Sequence, residues 1–377
     1  MNCEQNIVLR KEAVNAARQI IVKAGTRLLI DRKSIAKLVD GIALLRKRGH
    51  RVLLVTSGAV GMGMELAKLD KRPGELAQKQ ALAAMGQARL MSIYAEEAAR
   101  HGFNVAQLLL TASDLRNRGR YLNVMNCINA LWERDVLPIV NENDSVSVAE
   151  LKFGDNDTLA GMLTSLTGAQ MTVLLTTVDG LLGRNSDGSL GERIPVVAKI
   201  TDKIRSLAGG TDDSDLSTGG MASKLRAAGL STASGAWLWI ADGRIDNIMQ
   251  KIVDGEDTGT LFLPEKHKVP GRKRWFGFFS KISGEITVDS GAQNAVSVKG
   301  GSLLPSGVVR IEGDFKRGDT VDVCGTDGRP FARGLVNFDS SDCRKIIGKH
   351  TAELPEILGG AAEAELIHRD NLILLER

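Results

Sequence analysis

Through the first two thirds of the chain, short runs of apolar and β-branched residues alternate with longer segments whose apolar positions recur every three or four residues. The first run, 19–22, predicts a strand that ends at Lys23-Ala24-Gly25-Thr26. Residues 34–48 predict a helix with Ile35, Leu38, Val39, Ile42 and Leu45 on one face, Ser34 as N-cap and Gly49 as its stop. Residues 51–56 predict a second strand leading into Ser57-Gly58-Ala59, and 75–100 a long helical region. Further strands are predicted over 104–110, 136–140, 171–176 and 236–241, and further helices over 121–133, 157–167 and 224–234. Alternation of this kind builds an α/β domain, a mainly parallel sheet sandwiched by helices.

The pattern changes near residue 264. The stretch from Leu263-Pro264 to Val269-Pro270 is polar and bracketed by prolines, which predicts a linker over 265–274 between a first domain, 1–264, and a second, 275–377. In the second, glycines from Gly284 to Gly334 divide short β-like runs, the spacing of a small β-barrel-like domain.

Composition narrows the function classes. At 377 residues, 43% hydrophobic and 25% charged, the chain has enough apolar material for a large core, and its net charge is only +4. So small a surplus argues against a dedicated nucleic-acid or membrane-surface binder. Cys3, Cys127, Cys324 and Cys343 include no C-x-x-C pair and read as buried free thiols. Five scattered His give no zinc signature. The N-terminal residues lack the apolar core of a secretory signal, and no apolar run reaches the ~18 residues of a membrane span. A cytoplasmic protein is expected.

In an open parallel sheet, ligands bind at the carboxyl ends of the strands, and the polar clusters fall there. Lys23-Ala24-Gly25-Thr26 offers a close-approach glycine and a mobile cation, although alone it reads as well as a surface turn. Ser57-Gly58-Ala59-Val60-Gly61-Met62-Gly63 offers backbone N–H donors at a strand-to-helix turn, without the Rossmann order of glycines. Asn141-Glu142-Asn143-Asp144 and Gly154-Asp155-Asn156-Asp157 bracket a loop that includes Lys152. Clustered acids repel one another, so an ordered cluster holds a cation: a metal or an ammonium group. Ser217-Thr218-Gly219-Gly220-Met221-Ala222-Ser223-Lys224 follows the Gly- and Asp-rich stretch 209–215 and opens a helix. Helix N-terminal amides followed by a lysine suit a polyphosphate. Together these clusters read as a site for two anionic ligands and one positive group.

The ordered set of motifs carries a resemblance. KAGT at 23–26, TSGAVGMG at 56–63, QALAAMGQARLM at 80–91, QLLLT at 107–111, NENDSV at 141–146, FGDNDTLA at 153–160 and TGGMASK at 218–224 resemble the glutamate 5-kinases. So do GEITVDSGA at 284–292, GGSLLPSGV at 300–308 and HRDN at 368–371. That family has the amino acid kinase fold, often followed by a PUA domain. The resemblance implies ATP-dependent phosphorylation of the γ-carboxylate of L-glutamate to γ-glutamyl phosphate, which opens proline biosynthesis. It implies Lys23 and Lys224 on the phosphates of ATP, with Asp157 holding both lysines, as the catalytic set. Thr176, Thr177, Thr218, Gly219, Gly220, Met221, Ala222 and Ser223 join the two lysines around the nucleotide. Ser57, Asp144 and Asn156 are implied for glutamate, and ATP with Mg²⁺ as cofactors, with no metal held by the protein's own ligands. Proline feedback and a homo-oligomer are also implied. Two departures from the family pattern stand out: Thr177 where the nucleotide loop has an acid, and Arg27 where a small polar residue is common.

The chemistry agrees with the motifs. A glutamate side chain, with a reference pKa of about 4.3, is already ionised at pH 7 and needs no general base. The difficulty is bringing one anion against another, which lysines, Mg²⁺ and amide dipoles offset. Two rival readings remain: another kinase of this fold acting on a different carboxylate, carbamate or UMP, and a non-catalytic regulatory or RNA-binding protein. PUA domains elsewhere bind RNA, but residues 265–377 hold 17 Lys plus Arg against 16 Asp plus Glu, a net of +1. That lacks the broad basic surface RNA needs, so RNA binding by the tail is not expected.

Overall fold

A computed structural model describes residues 3–29, 31–147, 155–185, 187–208, 220–265, 273, 276–277, 280–360 and 363–375. The chain divides into two compact units, Met1–Leu115 with Gly119–Val269, and Pro270–Arg377 with Arg116–Arg118.

Along the chain run α1 (Cys3–Ala16), β1 (Gln19–Ala24), α2 (Arg32–Lys47), β2 (Arg51–Val55), α3 (Ala59–Leu66) and α4 (Leu76–Ala99). Then come β3 (Val105–Leu110), α5 (Ala112–Arg116), α6 (Arg118–Glu133), β4 (Leu137–Glu142), α7 (Asn156–Thr167) and β5 (Met171–Thr176). A hairpin of β6 (Leu182–Arg184) and β7 (Leu190–Arg193) follows, with β8 (Val196–Val197), α8 (Asp202–Ser206), α9 (Met221–Ala233), β9 (Trp237–Asp242), α10 (Ile248–Val253) and β10 (Thr260–Phe262).

Eight strands form one sheet in the order β3-β4-β2-β1-β5-β9-β10-β8, parallel from β3 through β9. β10 runs antiparallel to β9 and parallel to β8. The mainly parallel sheet expected from the alternation is therefore present. Central strands such as β2 and β5 are apolar on both faces and buried, as helices on a parallel sheet require. From β1 the chain passes to β2 on one side and later crosses to β5 on the other. That reversal opens a crevice at the carboxyl ends of β1, β2, β4 and β5, where a doubly wound sheet binds its ligands.

Local chemistry corrects several expected boundaries. Asp31, not Ser34, caps α2: its side chain accepts the Ser34 N–H at 2.8 Å. Ile35, Leu38, Val39, Ile42 and Leu45 are buried as the periodicity predicts. Lys23 lies within β1, and Asn141 and Glu142 end β4, so these polar residues are strand termini and not loops. The helices α1 and α3 and the β6–β7 hairpin have no counterpart in the sequence reading. α1 is tied down by Arg10, whose side chain is fully buried. It donates to the carbonyls of Thr258 (2.7 Å), Pro195 (3.0 Å) and Gly259 (3.0 Å) and pairs with Asp257 at 2.9 Å. Its guanidinium sits 4.6 Å from the Trp239 ring centre. Burial draws its pKa down to about 10 despite Asp257.

The second unit holds five strands: β11 (Ile282–Val288), β12 (Val308–Gly313), β13 (Thr320–Cys324), β14 (Pro330–Leu335) and β15 (Leu372–Leu374). Their order is β12-β11-β13-β14-β15, around a core that includes Ile286, Val288, Val321, Val323 and Leu366. Cys324 and Cys343 are buried, and burial pushes their thiols up to about 11 and about 12. Cys127 is exposed, contrary to the reading of the thiols as buried. No helix among the described residues is long and apolar enough to cross a membrane.

Candidate active site

Three elements bring one carboxylate between two lysines. β1 lies between β2 and β5, and its Lys23 stands level with Val55 and Leu174. Asp157 sits in the first turn of α7 and Lys224 in the first turn of α9. Lys23 Nζ lies 2.6 Å from Asp157 Oδ1, and Lys224 Nζ lies 3.1 Å from Asp157 Oδ2. The Asp157 side chain is fully buried, and Ser223 Oγ also faces it at 3.4 Å. Burial alone would raise the Asp157 carboxyl, but the two ammonium groups outweigh it and hold the pKa below its ordinary value.

The helix crossing sets this spacing. Gly161, one turn beyond Asp157, meets Ala227 of α9: a Cβ there would stand 2.9 Å from the Ala227 carbonyl oxygen. No larger residue fits without driving α7 and α9 apart. The end of α7 is built by Asp155, the N-cap, whose side chain accepts the Thr158 N–H at 2.6 Å. Part of the acid cluster is thus helix capping, and the cation it holds is the lysine pair.

On the opposite wall, Asn156 Nδ2 donates to the Thr56 carbonyl (2.7 Å), Ser57 Oγ (3.0 Å) and Asn141 Oδ1 (2.9 Å). Gly58, with φ +98, turns the chain from β2 into α3, a conformation that favours glycine. The loop after β5 is held from behind. Arg244 donates to the Thr177 carbonyl at 2.8 Å, Gly243 N–H to the Thr176 carbonyl at 2.8 Å, and Leu181 N–H to Thr260 Oγ1 at 2.8 Å.

These walls enclose a cavity of about 650 Å³. Lys23, Ser57, Asp144, Asn156, Thr176, Thr177, Met221 and Lys224 all line it, and Arg27 does too. Asp157 lies beneath its surface. Gly220 caps α9, Ala222 is exposed, and Ser223 is buried toward Asp157, so these three do not line the cavity. Thr218 and Gly219, with Lys152, Gly154 and the stretch 209–215, lie outside the described residues. The sequence reading missed Asp70, Lys71 and Arg72, which line the cavity from the turn between α3 and α4. It also missed the side chains behind the wall, Gln87 and Tyr94 of α4. Their signal is a polar group recurring seven residues apart on a buried face of that helix.

Comparison with known proteins follows the same division. The amino acid kinase family model matches residues 18–240, and the PUA domain model matches residues 284–358. The chain is 42% identical to the glutamate 5-kinase of Trichlorobacter lovleyi, covering 97% of this chain and 99% of that protein. It is 44% identical to the glutamate 5-kinase of Desulfotalea psychrophila, covering 97% and 99%. Against the glutamate 5-kinase of Caldanaerobacter subterraneus subsp. tengcongensis the identity is 43%, covering 95% and 98%. Among solved structures it is similar to carbamate kinase from Giardia lamblia bound to AMP-PNP, with 17% identity and a TM-score of 0.47 over 66% of this chain and 99% of that one. With a family model spanning more than half its length and near-complete alignment to such relatives, the chain belongs to the amino acid kinase family, and within it to the glutamate 5-kinases that carry a PUA domain.

Proposed function

We propose that the chain transfers the γ-phosphoryl group of ATP to the γ-carboxylate of L-glutamate, giving γ-glutamyl phosphate for proline biosynthesis. The observation that carries this reading is the buried Lys23–Asp157–Lys224 cluster at the cavity floor, with an amide and hydroxyl wall on one side and the Thr176–Thr177 loop on the other.

Lys23 and Lys224 line the cavity and meet at Asp157. With a polyphosphate bound they would turn toward the phosphates while Asp157 keeps their stems aligned. The N-terminus of α9, capped by Gly220, adds the positive end of a helix dipole. The acceptor carboxylate is ionised at neutral pH and attacks directly, so the protein's task is positioning and charge stabilisation. Asn156, Ser57 and Asp144 would hold the amino-acid end, with Asp144 opposite the α-ammonium. Among the described residues no group of three or more His, Cys, Asp or Glu could hold a metal ion. Mg²⁺ would enter with ATP as part of the nucleotide substrate.

The test is ATP-dependent hydroxamate formation in the presence of hydroxylamine, with glutamate and aspartate compared. Aspartate is one methylene shorter, so its carboxylate falls short of the phosphate when its ammonium sits at Asp144. Glutamate is expected to give product and aspartate little. Equal yields would overturn the assignment of the acceptor.

A further inference from the structure

Helix α4 carries three polar side chains at seven-residue spacing, Gln80, Gln87 and Tyr94, and each meets a different part of the wall that Asn156 belongs to. Gln80 Nε2 donates to the Ser147 carbonyl at 3.4 Å. Gln87 Oε1 accepts from Asn141 Nδ2 at 2.9 Å. Tyr94 Oη lies 2.8 Å from Thr56 Oγ1. Gln87 and Tyr94 are buried and do not line the cavity.

The polarity of this chain of amides is fixed at two backbone anchors. The Glu142 N–H, a donor only, gives its proton to Asn141 Oδ1 at 2.9 Å. Asn141 must therefore point its Nδ2 at Gln87, and Gln87 must answer with oxygen. The Thr56 carbonyl, an acceptor only, takes a proton from Asn156 Nδ2. The nitrogen is therefore the end of Asn156 that meets Thr56, Ser57 and Asn141. Asn156 Oδ1 is buried and has no partner among the described residues. Gln87 Nε2 is likewise buried and without a partner among them, so the glutamine's worth at this place lies in its oxygen.

We propose that Gln87 is a positioning residue for the amino-acid substrate: through Asn141 it holds Asn156 in place in the wall of the glutamate subsite. This rests on the reading of Asn156 as part of the glutamate subsite. Without an acceptor at position 87, Asn141 Nδ2 is left unpaired in a buried place. The Glu142 N–H is then what remains to hold the Asn141 amide, and the acceptor it offers Asn156 Nδ2 is less firmly placed. An unmade hydrogen bond to a buried group lowers affinity by about tenfold.

Gln87→Met keeps the length of the side chain and removes the oxygen, whereas Gln87→Glu keeps an oxygen facing Asn141. For Gln87→Met, the KM for glutamate should rise about tenfold while kcat and the KM for ATP stay within about threefold. Gln87→Glu should restore the glutamate KM to within about threefold of the unaltered protein. A Gln87→Met protein, folded by circular dichroism, with an unchanged glutamate KM would overturn the proposal. So would equal losses in both KM values and kcat, which mark general structural damage. If Gln87→Met does not fold, Gln87→Glu decides alone, and a glutamate KM raised tenfold in it overturns the proposal. Failure of the underlying functional reading looks different: the unaltered protein itself would then form no hydroxamate from glutamate.

Discussion

Replacing Asp157 with Asn removes the one carboxylate between two buried lysines while keeping the side chain's shape. Both lysine side chains are themselves buried, with less than a tenth of their surface exposed. At an effective dielectric of about 20, each ammonium at its observed distance interacts with the carboxylate by roughly 5–6 kcal/mol before desolvation is subtracted. Breaking a buried pair by removing one partner costs about 3–5 kcal/mol in measured cases. For a domain of this size each kcal/mol shifts Tm by about 2–4 °C, so Asp157→Asn should melt roughly 6–20 °C lower in the absence of nucleotide. The phosphates of ATP would then supply part of the missing negative charge. Saturating nucleotide should accordingly raise Tm more in the variant than in the unaltered protein. Because the lysines lose their alignment, kcat should also fall by about 10² or more. Differential scanning calorimetry with and without ATP, together with hydroxamate kinetics, measures all three. A Tm within about 2 °C of the unaltered protein, with kcat within about threefold, would refute the idea that Asp157 organises the lysines.

Four other substitutions and one pH experiment test separate parts of the site. Lys23→Ala and Lys224→Ala should each lower kcat by about 10² or more, whereas Asp144→Ala should act mainly on the glutamate KM, since it meets an unreacting group; steady-state kinetics separate the two classes. Gly180→Ala should raise the ATP KM and lower Tm, because Gly180 has φ +93 and a Cβ there would run into Thr260 Oγ1; unchanged values of both count against the account of the Thr176–Thr177 loop. Asp157 is held below its ordinary value of 3.8, so its contribution to stability is complete above that pH and is lost as the pH falls through the lower, folded pKa. Denaturant unfolding below pH 4 should therefore show a shallower pH slope for Asp157→Asn.

The sheet was legible because buried parallel strands read as uninterrupted apolar runs, as Val52 to Val55 do. The sites at strand ends were legible because glycines and charges interrupt those runs at fixed places. What escaped was set by tertiary contact. α1 has little apolar periodicity, and its place depends on Arg10 reaching Thr258, Pro195 and Gly259, some 200 residues away in sequence. α3 is short and glycine-rich, a composition that reads as loop. It persists because a Cβ at Gly86 of α4 would overlap the Ala59 carbonyl, so the two helices touch through their backbones. Asp155 and Asp157 look alike in sequence, yet one caps a helix and the other pairs with two lysines. Gln87 was hidden because a polar residue on a long helix reads as solvent-facing until the strand behind it is known.

In the proposed reaction a carboxylate oxygen of glutamate itself attacks the γ-phosphorus of ATP. Glutamate labelled with ¹⁸O at both γ-carboxylate oxygens tests this directly when the reaction is run with Mg·ATP and hydroxylamine. Attack by the carboxylate makes a labelled oxygen the bridge to phosphorus. Hydroxylamine then displaces phosphate at the carbonyl carbon, so the released phosphate carries one ¹⁸O and the hydroxamate keeps the other. Mass spectrometry of the phosphate should find one ¹⁸O per hydroxamate formed. Phosphate without the label, its new oxygen coming from water, would rule out attack by the carboxylate.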